Sequence, residues 1–304
     1  MTKQELTNMV AEILSQMNGT EAPKVKASDY KTLVYNQDAA APEQNPAGMV
    51  PDVTEINLRR LYLTENPENG EKFRKMKEKT PARLGSGKAG ARYKTLTMLR
   101  FRADHAAAQD AVFSQVPEGY AEKNGLVPLV TRCRDKDEYL TRPDLGRGFD
   151  EENRQKIRAA VSGTPTVQIV IGDGLSSAAV LANAMDCMRA LQDGLKLRGI
   201  DWGQPLFVRY CRVGAGDAIG DVTGCRVVCM LVGERPGLVT DKSMSAYITY
   251  MPRTGVSESS RTVISNIHAQ GTPAVEAGAY AAELIEKILK KQVSGVGLHL
   301  EEAR

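Results

Sequence analysis

Cysteine is scarce and follows no pairing pattern: Cys133, Cys187, Cys211, Cys225 and Cys229 are the only five in 304 residues, and none forms a CxxC pair. An odd number without short spacings excludes a complete disulfide framework, so these thiols are expected reduced and mostly buried. Histidine is scarcer still. His105, His268 and His299 lie far apart, which leaves no His/Cys cluster with the local spacing of a zinc site. Long apolar runs are missing; none approaches the roughly 20 residues that span a bilayer, and the first residues lack the charged-then-apolar order of a secretory signal. Net charge is nearly absent too, +3 from 40 basic and 37 acidic side chains. That balance takes away the electrostatic case for a nucleic-acid or membrane partner. A cytoplasmic protein is expected.

What is present is an ordinary globular composition, 42% hydrophobic and 25% charged, enough for one generous domain with accessory segments. The opening Thr2-Lys-Gln-Glu5 is a capping-box pattern. Leu6, Met9, Val10, Ile13, Leu14 and Met17 then repeat at helical spacing, which predicts an amphipathic helix over 1–17. Over 18–53, Pro23, Pro42, Pro46 and Pro51 and the Asp38-Ala-Ala-Ala41 run read as a flexible linker. A tethered apolar face either docks elsewhere or folds back onto its own domain or a partner. Residues 54–110 read as a helical, basic segment with Leu58, Leu61, Lys72, Arg74, Lys75, Lys77 and Lys79. Such charge is usually a solvated face.

From 111 onward one domain is expected, and from Thr166 its texture is that of a three-layer α/β fold with a parallel sheet. Strands are predicted over Thr166–Ile171, Leu206–Val213, Cys225–Val232 and Ser245–Met251. A helix from Leu175 to about Leu197 is expected to bury Leu181, Ala184, Met185, Met188, Leu191 and Leu195. A last helix, capped by Thr272 with Pro273 at its first position, is expected to bury Ala281, Leu284, Ile285, Ile288 and Leu289.

Open α/β sheets bind ligands beyond the carboxyl ends of their strands, where helix N-termini and loop amides converge. After the first strand stands Gly172-Asp173-Gly174-Leu175-Ser176-Ser177, which is either a site loop or a turn with Ser176 as helix cap. After the second stands Arg209-Tyr-Cys-Arg-Val213. After the third, Gly233-Glu234-Arg235-Pro236-Gly237 places two charged heads on a stiff loop; it is the strongest local site candidate, a loop-stabilising ion pair being the alternative. Ser265–Pro273 forms a fourth polar loop. Two glycine patterns fail as nucleotide motifs. Gly85-Ser-Gly87-Lys88 has Ala82 and Ala89 where a P-loop needs Gly and Ser or Thr, and Gly214-Ala-Gly216 has Ile219 at the third glycine of a dinucleotide fingerprint. No nucleophilic triad is visible in sequence.

Taken in order, Arg83-Leu-Gly-Ser-Gly87-Lys-Ala-Gly90, Leu99-Arg-Phe101-Arg-Ala-Asp-His105, Tyr139-Leu-Thr-Arg-Pro-Asp-Leu-Gly146-Arg147, Asp173-Gly-Leu-Ser176, Phe207-Val-Arg-Tyr-Cys-Arg-Val213, Leu231-Val-Gly-Glu-Arg-Pro-Gly-Leu238 and Ile264-Ser-Asn-Ile-His268 resemble the small, or light, subunit of ethanolamine ammonia-lyase. The ordered series runs from about Thr64 to Gly295. The resemblance implies a Rossmann-like domain that covers adenosylcobalamin against a large catalytic subunit, in an enzyme converting ethanolamine to acetaldehyde and ammonia by a radical route. Its cobalamin contacts fall on Val213, Glu234 and Val263, all placed at the strand-end loops above. Val263 is a departure, since relatives carry Cys there; a contact through backbone or apolar packing survives that change. The base-off motif Asp-x-His-x-x-Gly is missing, because Ala103, Asn266 and Gly297 precede the histidines, so no metal ligand is expected from this chain. The resemblance also implies enclosure in a bacterial microcompartment, with the N-terminal helix meeting shell proteins. The competing reading is a non-catalytic module that binds phosphate-rich ligands or RNA through Lys72 to Arg102, whose interleaved aromatics are only Phe73, Tyr93 and Phe101.

Overall fold

The computed structural model describes residues 52–298. The expected N-terminal helix, nearly all of the linker and His299 lie outside that range. The described residues fall into two compact units that divide between Arg100 and Phe101.

In the first unit, α1 (Gly70–Glu78) carries Glu71 in its first turn and Lys75 and Lys77 in its last, the arrangement its dipole favours. It is followed by a two-stranded antiparallel hairpin, β1 (Lys88–Ala89) and β2 (Arg92–Tyr93). The hairpin corrects the wholly helical reading of this segment. Gly85, Gly87 and Gly90 all have positive φ, a conformation that breaks a helix and makes a turn, so the failed P-loop is a turn and hairpin. The basic residues are also less available than their number suggests. Lys75 pairs with Glu71 and Lys94 with Glu65, while Lys77 is buried and donates to the Leu84 carbonyl. Arg100 donates to the carbonyls of Val53, Thr54 and Ile56.

Helix α2 (Thr95–Phe113) leads into the second unit, where α3 (Tyr120–Lys123), β3 (Val127–Val130), α4 (Lys136–Thr141) and α5 (Glu151–Ala160) precede the central strands. Then come β4 (Val167–Asp173), α6 (Ser177–Leu197), β5 (Leu206–Arg209), α7 (Ala215–Thr223), β6 (Val227–Gly233), β7 (Met244–Tyr250), β8 (Arg261–Ile267) and α8 (Ala274–Lys291). The sheet order is β3-β5-β4-β6-β7-β8. Every residue of β4 and β6 is buried, as expected of central strands covered on both faces.

The sheet is mixed, which corrects the all-parallel expectation. Strands β3, β5, β4 and β6 are parallel, but β7 runs antiparallel to both β6 and β8. The reason lies in the connections. A parallel crossover needs a dozen or more residues, usually a helix, and the chain between β6 and β7 forms none. It turns back beside the strand it has just left.

Two strands of the six-stranded sheet escape the sequence reading. β3 contains Pro128, which is tolerated because β3 is an edge. β8 includes Ser265, Asn266 and Ile267, read above as loop; a register irregularity opposite Met244–Ala246 accompanies positive φ at Asn266. The predicted Leu206–Val213 strand ends early at Arg209, where Tyr210 takes φ +57 and turns the chain out of the sheet.

Helices α6 and α8 cover one sheet face with Val180, Ala184, Leu191, Leu195, Ala281, Ile285 and Ile288. Helices α5 and α7 cover the other with Ile157, Ala215, Ala218 and Ile219. Ser176 caps α6, its hydroxyl accepting from the Ala179 amide at 3.0 Å. Leu181, expected on the buried face of that helix, is 48% exposed; Val180 and Asn183 turn inward in its place. The cap of α8 falls on Pro273, one residue later than read. All five cysteines are free and buried, and burial pushes the Cys187 thiol up to about 12 and Cys225 up to about 11.

Candidate functional site

Four of the motifs quoted above, Tyr139–Arg147, Asp173–Ser176, Phe207–Val213 and Leu231–Leu238, meet at the carboxyl ends of β5, β4 and β6. Tyr139 is buried and donates its hydroxyl to the Cys211 carbonyl at 3.1 Å. The Arg212 guanidinium lies 4.3 Å from the Tyr139 ring centre and donates to the Tyr139 carbonyl at 2.8 Å. The amide of Arg212 donates to Gly146 and that of Cys211 to Asp173. So the Tyr139–Arg147 segment and the loop carrying Val213 are bound as one piece.

Asp173 is consumed by structure. It is 2% exposed and accepts from the Ser177 hydroxyl at 2.6 Å and the Val116 amide at 3.2 Å. Burial still outweighs those bonds and holds its carboxyl above the usual carboxylate range. Of the two readings of the Gly172–Ser177 loop, the geometry is that of turn and cap.

Glu234 stands immediately after β6, half-buried. It does not pair with the neighbouring Arg235, which is exposed. Its carboxylate accepts from the Tyr247 hydroxyl on β7, and its amide donates to Ser243 at 2.9 Å. Among the described residues its side chain has no other hydrogen-bond partner. Burial, then the bond to Glu234, raises the Tyr247 phenol well above its ordinary range, so Tyr247 stays a donor.

Val263 is not in a loop; it lies within β8, paired with Tyr247. The alternation of a strand explains its position. Ile264 points into the core beneath α6 and α8, while Val263 points to the other face and is 46% exposed. Cross-strand partners share a face, so Met230, Tyr247 and Val263 form one line across β6, β7 and β8, and from that line the Tyr247 hydroxyl reaches Glu234 just past the end of β6. Val213 lies apart, half-buried before Gly214 at the start of α7. A buried ion pair joins the two parts. Arg261, two residues before Val263, donates to both carboxylate oxygens of Asp217 on α7 at 2.9 and 2.7 Å, to Thr249 at 3.2 Å, and to Glu258.

The glycines of the failed dinucleotide fingerprint serve packing. A methyl group at Gly216 would come within 2.3 Å of the Met230 sulfur, and one at Gly220 within 2.3 Å of the Pro252 carbonyl. Gly216 lets α7 lie close against β6, and Gly220 lets it lie against the chain at Pro252. Sequence reasoning missed Tyr247 and the Arg261–Asp217 pair. Only the alternation of β7 could have marked the tyrosine, because its partner is 13 residues away. No group of three His, Cys, Asp or Glu side chains among the described residues is placed to hold a metal. None of their helices is long and apolar enough to cross a membrane.

These features define an α/β protein with polar and apolar groups side by side at the edge of a covered sheet face. A family model described as ethanolamine ammonia-lyase light chain (EutC) matches residues 70–299. A small subunit of ethanolamine ammonia-lyase from Clostridium perfringens is 52% identical over 298 residues, covering 98% of this chain and all of that one. Proteins of the same name from Listeria innocua and Clostridioides difficile are each 51% identical, with the same coverage. The chain belongs to the ethanolamine ammonia-lyase light chain family.

Proposed function

We propose that this chain pairs with an ethanolamine ammonia-lyase large subunit, covers adenosylcobalamin and orients it for conversion of ethanolamine to acetaldehyde and ammonia. The observation that carries this is the Glu234 carboxylate, half-buried at the end of β6, with one oxygen engaged by Tyr247 and exposed Val263 beside that tyrosine. A broad ring edged with amides calls for such a surface, an acceptor for N–H groups next to apolar area. The residues fit the group.

In this reading Glu234 accepts hydrogen bonds from the ring's side chains. Val213 and Val263 supply packing and main-chain contacts, neither being able to move a proton. The parallel β3-β5-β4-β6 half with its helices forms the Rossmann-like part that excludes water. When bound, adenosylcobalamin supplies a cobalt–carbon bond whose homolysis starts radical chemistry. This chain contributes no cobalt ligand in the proposal; His268 accepts at Nδ1 from the Gln270 amide at 3.3 Å. The basic segment within 54–110 faces the large subunit. The enzyme works in the cytoplasm within a bacterial microcompartment, the 1–17 segment meeting shell proteins through the 18–53 tether.

The test is co-expression with a large subunit, purification through a tag on this chain, and assay of acetaldehyde from ethanolamine with and without adenosylcobalamin. Activity that needs both chains and the cofactor is expected. A folded, solitary chain that leaves cobalamin unbound in every combination overturns the proposal.

A further inference from the structure

A carboxylate on a loop at a strand end has several rotamers, and a ligand that needs one of them must pay for the rest in ordering. The fold supplies a restraint on Glu234 from a different strand. Tyr247 sits at the middle of β7, paired with Met230 on β6 and Val263 on β8, so its backbone is held on both sides. Its ring packs against the core under α5 and α7. From that fixed base the hydroxyl reaches Glu234 and donates to Oε1, leaving Oε2 without a hydrogen-bond partner among the described residues. The tyrosine also connects the acceptor to the exposed apolar side chain across the ladder. A group on rigid elements that locks the rotamer of a ligand-facing side chain is what preorganises a site.

We propose that Tyr247 is a positioning residue of the cobalamin site: its hydroxyl holds Glu234 with one carboxylate oxygen turned to accept from the ring's amide side chains. This rests on the reading of Glu234 given above. Tyr247 itself acts through the carboxylate and need not touch the ring.

The experiment is a double-mutant cycle in the purified complex of this chain with its large subunit, with cyanocobalamin as the probe and its dissociation constant measured by equilibrium dialysis. Tyr247→Phe keeps the ring and removes only the donor; it is expected to weaken binding roughly three- to tenfold, the span of one lost hydrogen bond. Glu234→Ala is expected to weaken it by at least as much. In the double variant the tyrosine change should add less than about twofold, because its target is gone. A merely structural tyrosine would impose its full penalty in either background, so multiplying penalties overturn the proposal. Binding by Tyr247→Phe within about twofold of wild type overturns it as well, given a weakened Glu234→Ala. If Glu234→Ala binds like wild type, the reading of Glu234 fails first and this inference with it.

Discussion

Single residues at the strand ends are tuned more by burial than by their neighbours. Lys136 is 7% exposed, donates to the Gly174 carbonyl at 3.1 Å and lies 5.2 Å from the Tyr139 ring centre. Burial lowers its ammonium below the ordinary lysine value, while Asp173 pulls the other way. Between the lowered value and the ordinary one of about 10.4, the unfolded chain binds more protons than the native one. Stability from this group therefore rises with pH through that window, is complete above it, and is lost as pH falls through the native value. Replacing Lys136 with Met removes the dependence. The melting temperature of wild type relative to Lys136→Met is expected to climb as pH is raised from neutral through the alkaline window; parallel curves would refute the assignment. Residue identity was readable at Glu234 because a Glu and an Arg between two glycines and beside a proline form a conspicuous string. Lys136 was not, since nothing in Asp135-Lys136-Asp137 says that its side chain runs inward.

At the scale of elements, the feature that sets the geometry of the candidate site is the brace between α7 and β8. Arg261 and Asp217 have side chains 3% and 7% exposed and meet through two hydrogen bonds. Truncating one partner leaves the other buried and uncompensated, a cost of about 3–5 kcal/mol. Arg261→Ala is expected to lose about that much in urea unfolding, whereas Arg261→Met with Asp217→Leu, which strands no charge, should recover most of it. Equal losses in both would mean that packing, not charge, holds α7 there. Strong helices and buried strands were legible because their signals are local: Ser176 caps α6, and apolar runs mark β4 and β6. β3 and β8 were not: β3 is an edge strand with a proline whose partner β5 is distant in sequence, and β8 is an edge strand whose polar residues read as loop.

For the molecule as a whole, the proposed division of labour gives the N-terminal segment a role separate from the α/β unit. Deleting residues 1–20 is expected to leave acetaldehyde formation by the two-subunit enzyme near wild type and to abolish co-localisation with fluorescently labelled shells; shells that still retain the truncated enzyme would reject the targeting role. By itself the sequence determined the α/β class, the family, the buried free cysteines and the loop carrying Glu234, because each is written in contiguous residues or in an ordered string of motifs. Tertiary structure alone decided that β7 and β8 fold back antiparallel, that Val263 faces outward within a strand, and that Tyr247 reaches Glu234. Those depend on which strands lie side by side. Pairing between strands is a contest among whole-chain arrangements, settled by burial of both sheet faces and by the length of each connection, and no local pattern of residues encodes its outcome.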